Sequence, residues 1–189
     1  GYSTHESQAF IMEMMIGQSE EFLGFLSKFF TDELGFSKNH FSVNSLNDDY
    51  LRLKTTGIDQ GRDPLHFVLW IMERYRIEKE LLNGSLSVID LPDAWDDSME
   101  ALFGRRPQSD AEGCMRSFHW AAGYWGYLPC YAIGVLKAAQ FYQTATKENP
   151  EINTALAVGD IAIWEAWLRI NIHSRGSKIS GEGIMAEIT

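Results

Sequence analysis

Apolar residues recur at helical spacing along most of this chain, and no segment alternates apolar and polar residues for long enough to predict a β-strand. The pattern is clearest from Ser7 to Phe30, where it predicts one long amphipathic helix. It returns near the end of the chain, where Ile161, Trp164, Leu168 and Ile172 form one apolar stripe. Because only a helix places residues at this spacing on one face, the sequence predicts an all-α protein.

Local signals predict where the other helices begin and end. A helix that begins near Pro64 opens with a run that is apolar on every side, so we expect it to be buried centrally, and Gly84 is suited to its C-terminal end. The segment 44–62 is rich in Asn, Asp, Thr and Gly and is predicted to be an irregular connection. Further helices are predicted over 90–104, 110–120, 131–144 and 160–173.

Length and charge limit the classes of protein to which this chain can belong. With 189 residues the chain can build one sizeable core, so a single domain over 1–189 is expected. A formal net charge of −10 disfavours nucleic acid and anionic membranes as partners. No apolar run approaches the roughly 20 residues of a membrane-spanning helix, and no signal peptide pattern opens the chain, so a cytoplasmic protein is expected. Two cysteines without metal-binding spacing are expected to be free thiols.

The pair His5-Glu6 stands at the start of the first helix pattern, and both side chains are of types that bind zinc. Neighbours on a helix point about 100° apart, so at most one of them can bind a given ion directly. No histidine elsewhere in the chain forms an HxxxH pair with another. Spacing alone therefore leaves two alternatives open, a solvated helix start and a single metal ligand.

The segment His5-Glu6-Ser7-Gln8 resembles the HESQ motif of the thermostable carboxypeptidases, the carboxypeptidase Taq family of zinc metallopeptidases. The resemblance continues in the same order along nearly the whole chain. It includes Pro64-Leu65-His66, Arg74-Tyr75, Ile77-Glu78-Lys79, Asp90-Leu91-Pro92, Asp110-Ala111-Glu112-Gly113, His119-Trp120, Gly126-Tyr127, Ala138-Ala139-Gln140-Phe141, Trp167-Leu168-Arg169 and Asn171-Ile172-His173.

This resemblance implies a multi-helix domain that forms part of a helical cleft (neurolysin-like) metallopeptidase fold. In that family one zinc ion is bound by two histidines of an HExxH helix and by the glutamate of HESQ. The resemblance therefore gives Glu6 the role of third zinc ligand, with His5 and Gln8 as supporting groups around it. The chain contains no HExxH, so the two histidine ligands and the general base are expected outside it.

A second family motif, GxxQDxHW, is similar to 113–120, where Arg116 and Ser117 replace Gln and Asp while His119 remains. Tyr131 follows His119 by the twelve residues at which related peptidases place an oxyanion-stabilising tyrosine. The resemblance therefore implies that His119 and Tyr131 stabilise the tetrahedral intermediate. Tyr127, a candidate for substrate binding, and Tyr124 are further candidates from the same loop. The alternative for Tyr131 is a core tyrosine with a satisfied hydroxyl.

Recognition of a C-terminal carboxylate requires a cation, for which arginine gives two parallel hydrogen bonds. The family uses the arginine of an [IV]RxxAD motif, and Arg52 in Leu51-Arg52-Leu53 is similar in position. The Ala-Asp end of that motif is missing here, so a solvated surface arginine is the alternative.

The sequence thus predicts part of a zinc carboxypeptidase that releases C-terminal amino acids from peptides with a free C-terminus. The chain by itself is expected to be inactive, and a homodimer is implied by the family alone. The replacements at Arg116 and Ser117 favour a second hypothesis, a degenerate helical scaffold or interaction domain of the same fold. A generic helical ligand-binding domain is the third.

Overall fold

The computed structural model describes residues 1–51 and 64–189. These residues form helices, turns and bends without a β-strand, which confirms the predicted all-α class. The α-helices are α1 Tyr2–Phe10, α2 Glu20–Lys28, α3 Val43–Leu51, α4 Pro64–Asn83, α5 Leu91–Phe103, α6 Phe118–Ala121, α7 Pro129–Glu148, α8 Glu151–Leu156, α9 Ala162–Asn171 and α10 Gly181–Ile188. Short 3-10 helices cover Val88–Asp90, Cys114–Arg116 and His173–Arg175.

The long helix predicted from Ser7 to Phe30 is wrong as one element. A π-helix over Ile11–Ile16 follows α1, and a second one over Phe29–Glu33 follows α2. Between them Ser19 has an extended backbone, and its hydroxyl accepts a hydrogen bond from the Phe22 backbone N–H at 3.3 Å. Such an N-cap starts a new helix, so the side-chain periodicity continues while the backbone is interrupted.

Three other expectations are corrected. The segment 44–51 belongs to α3 rather than to an irregular connection. The helix expected through 110–120 consists of a 3-10 turn and the single turn of α6, separated at Ser117. Helix α4 is not buried on every side, because Leu65 and Met72 remain 63% and 58% exposed. A helix that packs through one face leaves apolar residues of the other face in solvent.

The chain divides into two compact units, 1–52 with 133–189 and 53–132. Whether they form one domain, as expected from length, stays a prediction. The first unit buries residues of α1, α2, α7, α8 and α9. Trp164 and Trp167 stack there with ring centroids 5.6 Å apart, and the Trp167 indole N–H donates to the Glu148 carboxylate at 2.7 Å.

The second unit has its core between α4, α5 and the segment 113–128. Its fully or nearly buried apolar residues are Trp70, Ile71, Ile77, Trp95, Met99, Cys114, Trp120 and Leu128. Leu91 begins α5 with Pro92 behind it, and Gly104 ends it at φ +70°, as the sequence predicts. Both cysteines are free thiols. Across the described residues, no helix combines the length and apolarity that a membrane span requires.

Candidate active site

His119 and Tyr131 lie next to each other in the second unit. His119 is the second residue of the single-turn helix α6, and its side chain is 8% exposed. Tyr131 lies in the first turn of α7, after the connection that contains Gly123 and Gly126. The His119 Nε2 and the Tyr131 hydroxyl oxygen are 3.3 Å apart, within hydrogen-bond distance. The structure therefore brings together the two residues that the sequence predicted to act together.

Tyr127 completes a cluster of three rings around this contact. Its ring stacks on the His119 imidazole with centroids 6.0 Å apart and planes at 18°. It meets the Tyr131 ring edge-on at 5.3 Å and 69°. The tyrosine predicted to contact substrate thus packs against both predicted catalytic side chains, and its substrate role stays a prediction.

Arg74 is the buried cation of this cluster. It projects from the middle of α4, and its side chain is 2% exposed. Its Nε and Nη2 donate to the Ser117 hydroxyl oxygen at 3.1 and 2.6 Å, and its Nη2 lies 3.2 Å from His119 Nδ1. The guanidinium also lies over the Trp70 ring, 4.1 Å from the centroid, which is a cation–π contact.

Burial lowers the pKa of the Arg74 guanidinium to about 10, while interactions with Tyr131 and Glu78 raise it. The group is therefore a cation at neutral pH. A buried charge without compensation is costly, and arginine satisfies several acceptors at once through its planar fork. Ser117, His119 and the Trp70 ring supply that compensation around Arg74.

Glu78 is the buried anion of the same unit, 1% exposed and one helical turn after Arg74. Its carboxylate accepts hydrogen bonds from the Trp120 indole N–H at 2.9 Å and from the Gly126 backbone N–H. Gly126 has φ +76°, which turns the chain so that its N–H meets the carboxylate. These contacts connect the start and the middle of the segment between His119 and Tyr131 to α4.

The sequence analysis named Arg74 and Glu78 only within stretches that resemble the family and assigned them no role. Helical spacing could have identified them. The two charged residues share the helix face of two buried apolar ones. This face carries, at intervals of four, three and one, Trp70, Arg74, Ile77 and Glu78. A charge on the apolar face of a helix indicates a buried partner elsewhere in the chain.

Glu6 lies in the first unit, on α1, and its side chain is half-buried. A Cβ atom placed on Gly134 of α7 would be 3.0 Å from the Glu6 Cβ. Gly134 therefore allows α7 to pass close to Glu6, which explains why a glycine occupies the middle of this helix.

His5 and Gln8 belong to the same face of α1. The Gln8 amide oxygen lies 3.2 Å from His173 Nε2, and its amide nitrogen donates to the Ser7 hydroxyl at 3.1 Å. His5, Gln8 and His173 line a cavity of about 340 Å³ together with apolar residues of the C-terminal segment. Gln8 therefore has polar partners of its own, while His5 is a lining residue of the cavity.

A catalytic zinc site requires three protein ligands and one open position. In the described ranges 1–51 and 64–189, no three side chains of His, Cys, Asp or Glu converge in a way that could hold a metal ion. The described residues therefore do not form a complete zinc site by themselves, and the role of Glu6 as a ligand stays a prediction. Arg52, the predicted carboxylate-binding residue, lies outside the described residues.

The chain is similar to known proteins over nearly its whole length. Residues 1–189 match the family described as carboxypeptidase Taq (M32) metallopeptidase. The chain is 32% identical to thermostable carboxypeptidase 1 of Pyrococcus furiosus over 179 residues, which cover 92% of this chain and 34% of that protein. It is 33% identical to carboxypeptidase 1 of Bacillus subtilis over 189 residues, which cover 98% of this chain and 37% of that protein.

Solved structures agree with the sequence relatives. The crystal structure of BsuCP matches 100% of this chain and 38% of its own with a TM-score of 0.91 and 31% identity. Metallocarboxypeptidase 1 of Trypanosoma cruzi matches 100% of this chain and 40% of its own with a TM-score of 0.89 and 28% identity. The chain spans about a third of the length of its curated relatives and corresponds to their C-terminal part. It therefore belongs to the carboxypeptidase Taq (M32) metallopeptidase family.

Proposed function

We propose that this chain is the C-terminal part of a zinc-dependent carboxypeptidase that releases C-terminal amino acids from peptides. Family membership over residues 1–189 supports the reaction class, and the hydrogen-bonded pair His119 and Tyr131 is the observation that carries the catalytic role. The sequence contains no HExxH, so the chain alone is proposed to be inactive. Activity requires the remaining two thirds of the protein.

The proposed roles follow the residues that the chain contributes. Glu6 acts as the third ligand of one zinc ion, and His5 and Gln8 support it on α1. When bound, the zinc ion would supply Lewis-acid polarisation of the scissile carbonyl and of its attacking water. Tyr131 and His119 stabilise the oxyanion that develops on the carbonyl oxygen, Tyr131 by donating a hydrogen bond from its hydroxyl and His119 through its contact with that hydroxyl.

Substrate binding is assigned to two further residues. Arg52 binds the free carboxylate of the peptide, since a guanidinium matches its two oxygens. Tyr127 contacts the substrate from its position against the His119 and Tyr131 rings. A homodimer and a cytoplasmic location remain part of the proposal.

The test uses the full-length protein, with metal analysis and an assay on N-blocked dipeptides. We expect zinc to co-purify and the terminal amino acid to be released. Glu6→Gln should lose both, because an amide is a far weaker ligand than a carboxylate. Glu13→Gln is the control, since Glu13 is an exposed carboxylate of the π-helix that follows α1. Absence of an HExxH upstream in the full-length sequence would contradict the proposal.

The second candidate is a catalytically degenerate scaffold of the same fold. The residue next to the buried Arg74 favours this candidate. Ser117 accepts the hydrogen bond from Arg74, and it stands at the position where the family motif has Asp. A full-length protein without bound zinc and without trimming of N-blocked peptides would support the scaffold. Zinc together with C-terminal trimming would exclude it.

A further inference from the structure

A line of side chains connects the buried cation of α4 to the predicted oxyanion donor. Arg74 Nη2 lies 3.2 Å from His119 Nδ1, and His119 Nε2 lies 3.3 Å from the Tyr131 hydroxyl oxygen. His119 thus has one ring nitrogen facing Arg74 and the other facing Tyr131. Both contacts lie within the second unit, and His119 is 8% exposed.

The chemistry of arginine decides which His119 nitrogen carries the proton. A guanidinium has only N–H donors and no acceptor, and it keeps its proton at neutral pH. His119 Nδ1 can form a hydrogen bond with it only as an acceptor, through its lone pair. A proton on Nδ1 would place two donors 3.2 Å apart in a buried site. The contact therefore selects the neutral imidazole with its proton on Nε2.

That tautomer sets the direction of the next hydrogen bond. Nε2–H then donates to the Tyr131 hydroxyl oxygen, instead of accepting from it. Tyr131 keeps its own hydroxyl proton as a donor toward a different acceptor. In the opposite tautomer the Tyr131 proton would be directed at His119, and the tyrosine would no longer donate to substrate.

We propose that Arg74 is a positioning residue, which holds His119 in the Nε2-protonated form and thereby allows the Tyr131 hydroxyl to donate a hydrogen bond to the substrate oxyanion. The statement about the oxyanion rests on the proposed function; the statement about the tautomer does not. Arg74 is itself fixed for this task, because Ser117 accepts from its Nε and Nη2 and the Trp70 ring covers its face.

The test measures the ring nitrogens of His119 in the 189-residue chain, labelled with 15N-histidine, by long-range proton–nitrogen correlation at neutral pH. Five histidines give signals, and the one that disappears in His119→Asn is assigned to His119. We expect the 15N chemical shift of Nε2 to be that of a protonated ring nitrogen and the 15N chemical shift of Nδ1 to be that of an unprotonated one. A proton on Nδ1 would overturn the proposal.

Variants separate positioning from packing. Arg74→Met removes the donors, and we expect the single-tautomer pattern to be lost in favour of averaged nitrogen shifts. Arg74→Lys retains a cation that can only donate, and it should restore the pattern. Arg76→Met is the matched control on α4, because Arg76 pairs with Glu73 and Glu80 at the surface. Unchanged His119 shifts in a folded Arg74→Met would overturn the proposal; if that variant does not fold, the wild-type spectrum decides.

The two proposals can fail separately. The spectrum needs neither metal nor activity, so a wrong tautomer refutes the role of Arg74 and leaves the carboxypeptidase proposal standing. An inactive full-length protein with the expected tautomer refutes the peptidase and leaves Arg74 as the residue that orients His119.

Discussion

Arg74 donates two hydrogen bonds to a single oxygen, the hydroxyl of Ser117, from Nε at 3.1 Å and from Nη2 at 2.6 Å. The fork of a guanidinium matches the two oxygens of a carboxylate better than one hydroxyl. The GxxQDxHW motif of the family has an aspartate at this position. In this chain the buried cation therefore meets a neutral hydroxyl where the motif would supply a carboxylate.

We predict that Ser117→Asp increases the free energy of unfolding by about 1 kcal/mol, because a charge-assisted pair replaces a neutral acceptor around a cation that is already desolvated. Urea unfolding of the 189-residue chain measures the change. Ser98→Asp is the control, since Ser98 also accepts from an arginine, but Arg76 is at the surface and already pairs with two glutamates. An equal gain in both variants would contradict the explanation.

The hydrophobic periodicity of the sequence was sufficient to predict many of the helices. Of the predicted apolar stripe, Trp164, Leu168 and Ile172 are buried, whereas Ile161 before the start of α9 is 38% exposed. Burial of one helix face imposes its period on the sequence, so such helices can be recognised without a structure. The interruption at Ser19 changes only the backbone hydrogen bonds, and side-chain periodicity is insensitive to it.

Prediction of the candidate site required the resemblance to a family, because helical periodicity gave no information about the contacts between its residues. The proximity of His119 and Tyr131 was predicted from a family spacing, since the seven-residue connection between their helices has no helical period. The contacts Arg74 to Ser117 and Glu78 to Trp120 join residues 43 and 42 positions apart. Periodicity could place Arg74 and Glu78 on the apolar face of α4, but it could not name their partners.

Loss of the Glu78 charge should destabilise the second unit. Glu78→Gln leaves Arg74 without its nearby anion and directs an amide N–H₂ toward donors of Trp120 or Gly126. We expect a decrease of about 3 kcal/mol in the free energy of unfolding, as for one partner of a buried charge pair. Glu80→Gln should change it by less than about 1 kcal/mol, because its pair with Arg76 is at the surface. Similar losses in both variants would contradict the role given to Glu78.

Gly159 provides a test of packing in the first unit. It has φ +75°, and a Cβ there would lie 2.5 Å from the Phe25 ring. Gly35 has nearly the same φ, +72°, but nothing lies within 4 Å of its Cβ position. Gly35→Ala should cost about 1 kcal/mol of backbone strain, whereas Gly159→Ala should cost about 1–3 kcal/mol more by overpacking. Thermal or urea unfolding compares the two, and equal costs would show that Phe25 moves aside freely.

The Cys114 thiol should be protected from alkylation in the folded chain. Burial, reinforced by the charge of Asp110, raises the pKa of this thiol above its usual range. A raised pKa in the folded state adds stability below the unfolded pKa, and this stability is lost as pH rises through the folded pKa. In a Cys130→Ser background, iodoacetamide at pH 9 should modify the native chain much more slowly than the urea-unfolded chain. Mass spectrometry follows the reaction, and equal rates would contradict a protected thiol.

Removal of the Tyr131 hydroxyl tests the proposed oxyanion donor in the full-length protein. Tyr131→Phe should lower kcat by about 10²–10³-fold, the usual effect of losing one oxyanion donor, with little change in KM. The ring and its edge-on contact with Phe67 are retained, so the fold should be unaffected. Tyr75→Phe is the control, because Tyr75 is exposed on α4 and contacts Lys79 through its ring. If both variants keep wild-type kcat, Tyr131 acts as a core residue, as the alternative interpretation of the sequence holds.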